Sequence, residues 1–302
     1  MSIFDNKSGQ HVGDGSSSIQ VAGNFTIGNT STEVIAICEL VVKSQMASLK
    51  EDAYKIVDQR AKEFGQQIAV KLSEDLDEKV AAKLADPDIQ YSINQAVTQV
   101  ARKGFDEKSE LLKELIVSKI ESTQEEDSIL IDQALDATPR MTTNEIKFLA
   151  WIYYLRSIFK LANGINVTQL AEEKKTHFAL TGFTLAENYK LHKSMYSDYN
   201  FDHVKFLGEQ ATLKHINKDY LEIKGVIFSD KSYQISYQDL IGKRTGYDNF
   251  ESEQAFLEAF PAIKTTLDSF GISNLSVFNS YVINPIGTMI AENYLKAREF
   301  LM

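Results

Sequence analysis

In this 302-residue chain, the residue types suited to hydrolytic chemistry gather in one stretch. Glu222-Ile223-Lys224 follows Asp198, Asp202 and Asp219, and residues 220–240 read as two strands about a Ser229-Asp230-Lys231 turn. Two carboxylates at one sheet edge can hold a divalent ion, and a lysine beside them can steady an attacking water or a scissile phosphate. Glu222, Lys224 and Asp202 are therefore the catalytic candidates of a metal-dependent nuclease. The competing reading is an ordinary surface pair, because Glu-x-Lys on one strand face is common. Charge favours the second reading. The chain carries a net −10, with 15 basic against 24 acidic side chains in residues 1–140 and 17 against 18 after them, so neither part offers a polyanion a basic approach. A nucleic-acid partner is not expected.

Other chemistries lack their signatures. His11, His177, His192, His203 and His215 show no metal-ligand spacing, and Cys38 stands alone in a helical segment, so neither a zinc site nor an internal disulfide is expected. Gly13-Asp14-Gly15 has no strand before it and no lysine after it, which excludes a phosphate-binding loop. No cofactor is expected. The opening residues lack the basic start and apolar run of a signal peptide, so the cytoplasm is the expected compartment.

The elements that must position these residues divide the chain into three parts. Residues 1–32 form a polar tail in which Ile19, Val21, Phe25 and Ile27 alternate with polar residues around Ala22-Gly23-Asn24, a pattern of two short strands and a turn. So small a hairpin needs its apolar face covered, and three readings stay open: a disordered tail, an assembly element paired with sister copies, or a segment docked on its own body.

Residues 33–164 read as a long helix and a helical bundle. From Thr32 to Asp86 there is no proline and one glycine, Gly65, while Val34, Ile37 and Val41 begin an apolar stripe that runs to Leu84. This predicts one long amphipathic helix of roughly 75–80 Å, broken if anywhere near Gly65, whose stripe would be covered in a bundle within or between chains. Val34, Ile37 and Val41 join Ile19, Val21, Phe25 and Ile27 as the expected oligomerisation residues. Asp86-Pro87 predicts a helix restart, Gly104 its end and Asp106 the next start. Thr142-x-x-Glu145 is a capping box ahead of IKFLAWIYYLRSIFKLA, the segment expected to be most buried. Residues 165–302 read as a smaller α+β unit, with helices from about Glu251 to Phe260, to Phe270, and from Pro285 onward. The expected class is mainly α.

The stretches ADPDIQYSINQAVTQVARKG, LLKELIV, IDQALDATPRMTTNEIKFLAWIYYL, FDHVKFLGE and YVINPIGTMIAENYLK resemble a bacterial family named after founding Legionella and Veillonella members. The resemblance spans residues 85–300 and implies no activity or site. The tail, GDGSSSIQVAGNFTIGN, is similar to tails on otherwise unrelated bacterial proteins, some from accessory or phage-defence regions. That similarity implies a module suited to assembly.

The expectation is a self-assembling protein, a sensor or structural component of defence against phage. Its partners would be copies of itself and another defence protein or a phage component. A nuclease effector is the first alternative, and an oligomer laying its Val34–Val42 stripe on a membrane surface is the second.

Overall fold

The computed structural model describes residues 30–46, 49–72, 83–158, 203–245, 250 and 252–301. The tail residues Ile19, Val21, Phe25 and Ile27 lie outside them, as do Asp198 and Asp202. The described chain is mainly α, in two compact units. One takes in residues up to Ser109 with Lys119–Glu121, and the other Glu110–Ser118 with everything from Ser122. The units therefore part near residues 109–122, not near the expected boundary at 165.

The first unit packs α1 (Thr30–Gln45), α2 (Glu51–Leu72) and α3 (Pro87–Lys103) on one another. The single long helix is corrected here. The chain turns between Gln45 and Glu51, where the Leu49 amide donates to the Met46 carbonyl at 3.1 Å, and α2 folds back on α1. No glycine or proline marks that turn, which is why the periodicity runs through it unbroken. Folding back covers the inner face: Val34, Ile37, Cys38, Val41 and Val42 are 0–3% exposed, against Ala61, Phe64 and Ile68 of α2 at 0%. Val34, Ile37 and Val41 are thus interior residues of a single chain, and neither a sister copy nor a membrane is needed to cover them.

Gly65 does not break α2. It lies at a close approach of the two helices, and a Cβ there would sit 2.9 Å from Cys38 Sγ and 3.3 Å from the Ile35 Cα. The enclosed Cys38 thiol is pushed up to about 12 by burial.

The expected restart at Asp86 holds. Its carboxylate accepts from the Asp88 amide at 2.9 Å, Pro87 occupies the first turn, and Gly104 closes α3 at φ +89. Asp88 pairs with Lys119 at 2.8 Å, a lysine whose side chain is 1% exposed, and Gln90 donates to the Leu84 carbonyl. The most specific part of the resemblance is thus a folding device. Asp106 likewise caps α4 (Glu107–Glu121) through the Lys108 and Ser109 amides.

In the second unit, α5 (Glu125–Ala137) and α6 (Thr143–Tyr153) lead into a π turn at Tyr154–Ile158. After residue 202 come α7 (Val204–Leu207), α8 (Lys218–Ile223), α9 (Tyr237–Thr245), α10 (Glu253–Ala259), α11 (Pro261–Ser269), α12 (Leu275–Phe278) and α13 (Pro285–Ala297). Helix α6 is the centre: Ile146 and Phe148–Ile152 are at most 1% exposed, α13 packs against it, and α5 packs on α13. Trp151 stacks on Phe278 at 5.0 Å, Phe278 on Tyr237 at 4.1 Å, and Phe148 meets Phe270 and Tyr281 edge-on at 5.0 Å.

The two strands expected between 220 and 240 are replaced by α8, a 3₁₀ turn at Lys231–Tyr233 and α9. Among the described residues, β-pairing is reduced to one antiparallel bridge, Ile227 with Ile283. Asn217 caps α8 and Asp230 accepts from the Ser232 amide, so local capping overrides the alternation. The bridge fixes the start of α13. Asn284 accepts from the Gly287 amide at 3.0 Å and donates to the Gly225 carbonyl at 2.7 Å. Gly287 lies so close to this strip that a Cβ would fall 2.1 Å from the Val226 carbonyl oxygen.

Gly287→Ala is expected to lower unfolding free energy by about 2–3 kcal/mol in urea denaturation, since backbone must move to admit one methyl group. A second expectation concerns the wholly buried His203, whose Nε2 lies 3.0 Å from Thr266 Oγ1. That hydroxyl already donates to the Ala262 carbonyl, so a neutral ring protonated at Nε2 suits both contacts. Burial pushes His203 down from 6.5 to about 3. Between those values the unfolded chain takes up a proton that the folded chain refuses, so stability falls as pH drops below 6.5. The loss from this group reaches about 2 kcal/mol at pH 5. Denaturation at pH 7.5 and 5 should show His203→Gln losing less stability across the interval than the parent chain.

Candidate functional site

The π turn is where the second unit opens a cleft of about 440 Å³. In an i→i+5 turn, one extra residue shifts the side chains that follow out of helical register, and such turns recur at binding sites. Tyr153, Arg156 and Ser157 line one side of the cleft, and Thr288, Met289 and Glu292 of α13 line another. Leu130 of α5 and Phe228 add apolar surface, and Phe228 is backed by Tyr233 in a parallel stack at 4.2 Å.

The polar groups are held in place. Arg156 donates through Nη1 to the Ile283 carbonyl at 3.2 Å, directly before the α13 cap. Tyr153 donates its hydroxyl to the Glu292 carboxylate. Burial first, then the Glu292 charge and that hydrogen bond, raise the Tyr153 hydroxyl above its ordinary range. Glu292 also pairs with Lys296 at 3.4 Å. At 1.5 Å per residue, the Ile283 anchor of Arg156 and Glu292 are about 13 Å apart along the start of α13. The cleft thus carries a cation toward one end, a carboxylate toward the other, and hydroxyls and an aromatic ring as well.

The candidates read from the sequence go elsewhere. Glu222 lies on α8 and pairs with Lys218 one turn back, at 3.1 Å. Lys224, just past the helix, reaches the Glu145 carboxylate, with Nζ 2.6 Å and 2.7 Å from its two oxygens. Glu145 also accepts from the Thr142 amide at 2.7 Å, and its side chain is 6% exposed. The capping box and Lys224 therefore form one buried polar knot that ties the start of α6 to the chain after α8. Glu222 and Lys224 do not share a face, because the predicted strand is a helix. Among the described residues there is no cluster of three or more His, Cys, Asp or Glu fit to hold a metal ion.

A family model matches residues 28–244, and its description is that of a bacterial '-like' family named after Veillonella parvula. The chain belongs to that family. The match to the Veillonella parvula-named family begins beyond Ile27 and ends before the YVINPIG segment, so it takes in α1 to α9 but neither the tail alternation nor α13. No curated protein and no solved structure matches the chain. Within the family match lie Tyr153, Arg156 and Ser157, which residue-type reasoning passed over. Their one signal was a single arginine inside IKFLAWIYYLRSIFKLA, a stretch otherwise apolar up to that point except for Lys147.

The polar knot predicts opposite outcomes for its two neighbouring charges. Lys224→Met, which strands the Glu145 charge, is expected to cost about 3 kcal/mol in chemical denaturation. Glu222→Ala removes a one-turn surface pair and should change stability by no more than about 0.5 kcal/mol.

Proposed function

We propose that this chain is a self-assembling, non-enzymatic bacterial protein of the cytoplasm, a sensor or structural component in defence against phage. Its tail would join copies, and its helical body would carry the recognising surface. The observation that carries this reading is that the inner face of α1 is covered from within the chain. Val34, Ile37 and Val41 are filled from within the chain, and α1 starts only three residues after Ile27. The alternating set Ile19, Val21, Phe25 and Ile27 thus finds the inner face of α1 already filled, and matching strands from sister copies are the simplest cover.

Further support comes from Glu222 and Lys224, whose engagement with Lys218 and Glu145 favours this reading over a metal-dependent nuclease. The interior position of Val41 likewise argues against a membrane-surface role, and among the described residues no helix is long and apolar enough to cross a membrane. The link with phage defence rests on the tail's similarity to tails of accessory-region proteins. The partners proposed are copies of the chain and a defence protein or phage component.

Size-exclusion chromatography with light scattering tests the assembly. The full chain should run as a multimer, and the chain lacking residues 1–31 as a folded monomer with unchanged helical circular dichroism. A full chain that is monomeric, with an assembly state unchanged by the deletion, overturns the proposal.

A further inference from the structure

The cleft beside the π turn has features that packing alone does not require. An arginine inside the most apolar helical stretch sits half-buried within the π turn that follows α6 and is held by the Ile283 carbonyl. Tyr153, three residues earlier, reaches Glu292 instead, so two neighbouring side chains set opposite ionic characters at separated points of one cleft. Hydroxyls of Ser157 and Thr288 also line it, and Phe228 supplies a flat aromatic surface. The volume, about 440 Å³, suits a small ligand better than a polymer.

The complement of such a cleft is a molecule with an anionic end, a flat ring, and paired N–H donors at the end away from the anion. Arginine with hydroxyls recognises a phosphate, an aromatic side chain stacks on a base, and a carboxylate accepts two adjacent N–H groups in parallel. Among nucleobases, guanine presents that donor pair on one edge, whereas adenine presents an acceptor beside its amino group. From this juxtaposition we infer that the cleft binds a guanine nucleoside monophosphate, with its phosphate at Arg156, Ser157 and Thr288, its base against Phe228, and its N1–H and N2–H edge on Glu292. The raised Tyr153 hydroxyl fits a donor that stays protonated and keeps Glu292 oriented. This inference goes beyond the proposed assembly and stands whether or not the tail joins copies.

Isothermal titration calorimetry on the full chain decides it, with GMP as probe and AMP and inorganic phosphate as comparators. GMP is expected to bind with a Kd below about 1 mM, at least tenfold more tightly than AMP or phosphate. Glu292→Gln should remove the preference for GMP over AMP. Ser157→Trp, which places bulk in the cleft from an exposed position, should weaken GMP at least tenfold while leaving the thermal melt and the assembly state unchanged. The inference is overturned if GMP binds no more tightly than AMP and phosphate. It is equally overturned if the folded Ser157→Trp chain binds GMP as the parent does, or if Glu292→Gln keeps the preference.

Discussion

A helix that is apolar on every side must be enclosed on every side, and α6 sets that requirement for the second unit. From Ile146 to Ile152 its side chains are buried or nearly so, and Trp151, Phe148 and Tyr154 are too large to be covered by one neighbour. Helix α13, itself backed by α5, closes part of the surface, and Phe270, Phe278 and Tyr281 close more. Burial of this kind is favourable only if the helix end can be dehydrated without leaving amides unpaired. The Thr142–Glu145 capping box supplies that, and Lys224 neutralises the carboxylate that does the capping. A lysine read as a catalytic candidate is therefore a condition of the central helix.

What was legible in the sequence follows from where the physics is local. Proline at a first helical turn, a capping carboxylate and a glycine at a helix end act within a few residues, and the starts at Asp86, Thr142 and Asn284 stand where those residues place them. The apolar spacing was equally local: it marks the inner face of α1 at Val34, Ile37 and Val41 and that of α2 at Phe64, Ile68 and Leu72, but in the first turns of α2 it picks the exposed Ala53 and Ile56 in place of the buried Val57 and Ala61. Two features were not legible. The reversal after Gln45 has no glycine or proline, and the stretch from 220 to 240 alternates like a strand although Asn217 and Asp230 cap helical turns within it. In both, hydrogen bonds between residues two or three apart turn the chain where the apolar spacing gives no sign of it.

The candidate site was less legible than the fold, for a related reason. Glu222 and Lys224 attracted attention because their types and spacing match a known chemistry on a strand, and the geometry changed once that strand became a helix. Arg156, Tyr153 and Glu292 come from segments more than a hundred residues apart, and no spacing rule joins them. Only the π turn, which displaces Arg156 from the register of α6, makes their juxtaposition intelligible.

The contact between Gly65 and Cys38 has a consequence for motion. The thiol sits at a close approach of α1 and α2, it is the chain's sole sulfhydryl, and burial pushes its pKa up to about 12. Reagents that attack a thiolate reach it only when the two helices separate. The rate at which a disulfide-exchange dye labels the folded protein therefore counts excursions in which this hairpin springs apart, making Cys38 a native clock for the loosening of the first unit.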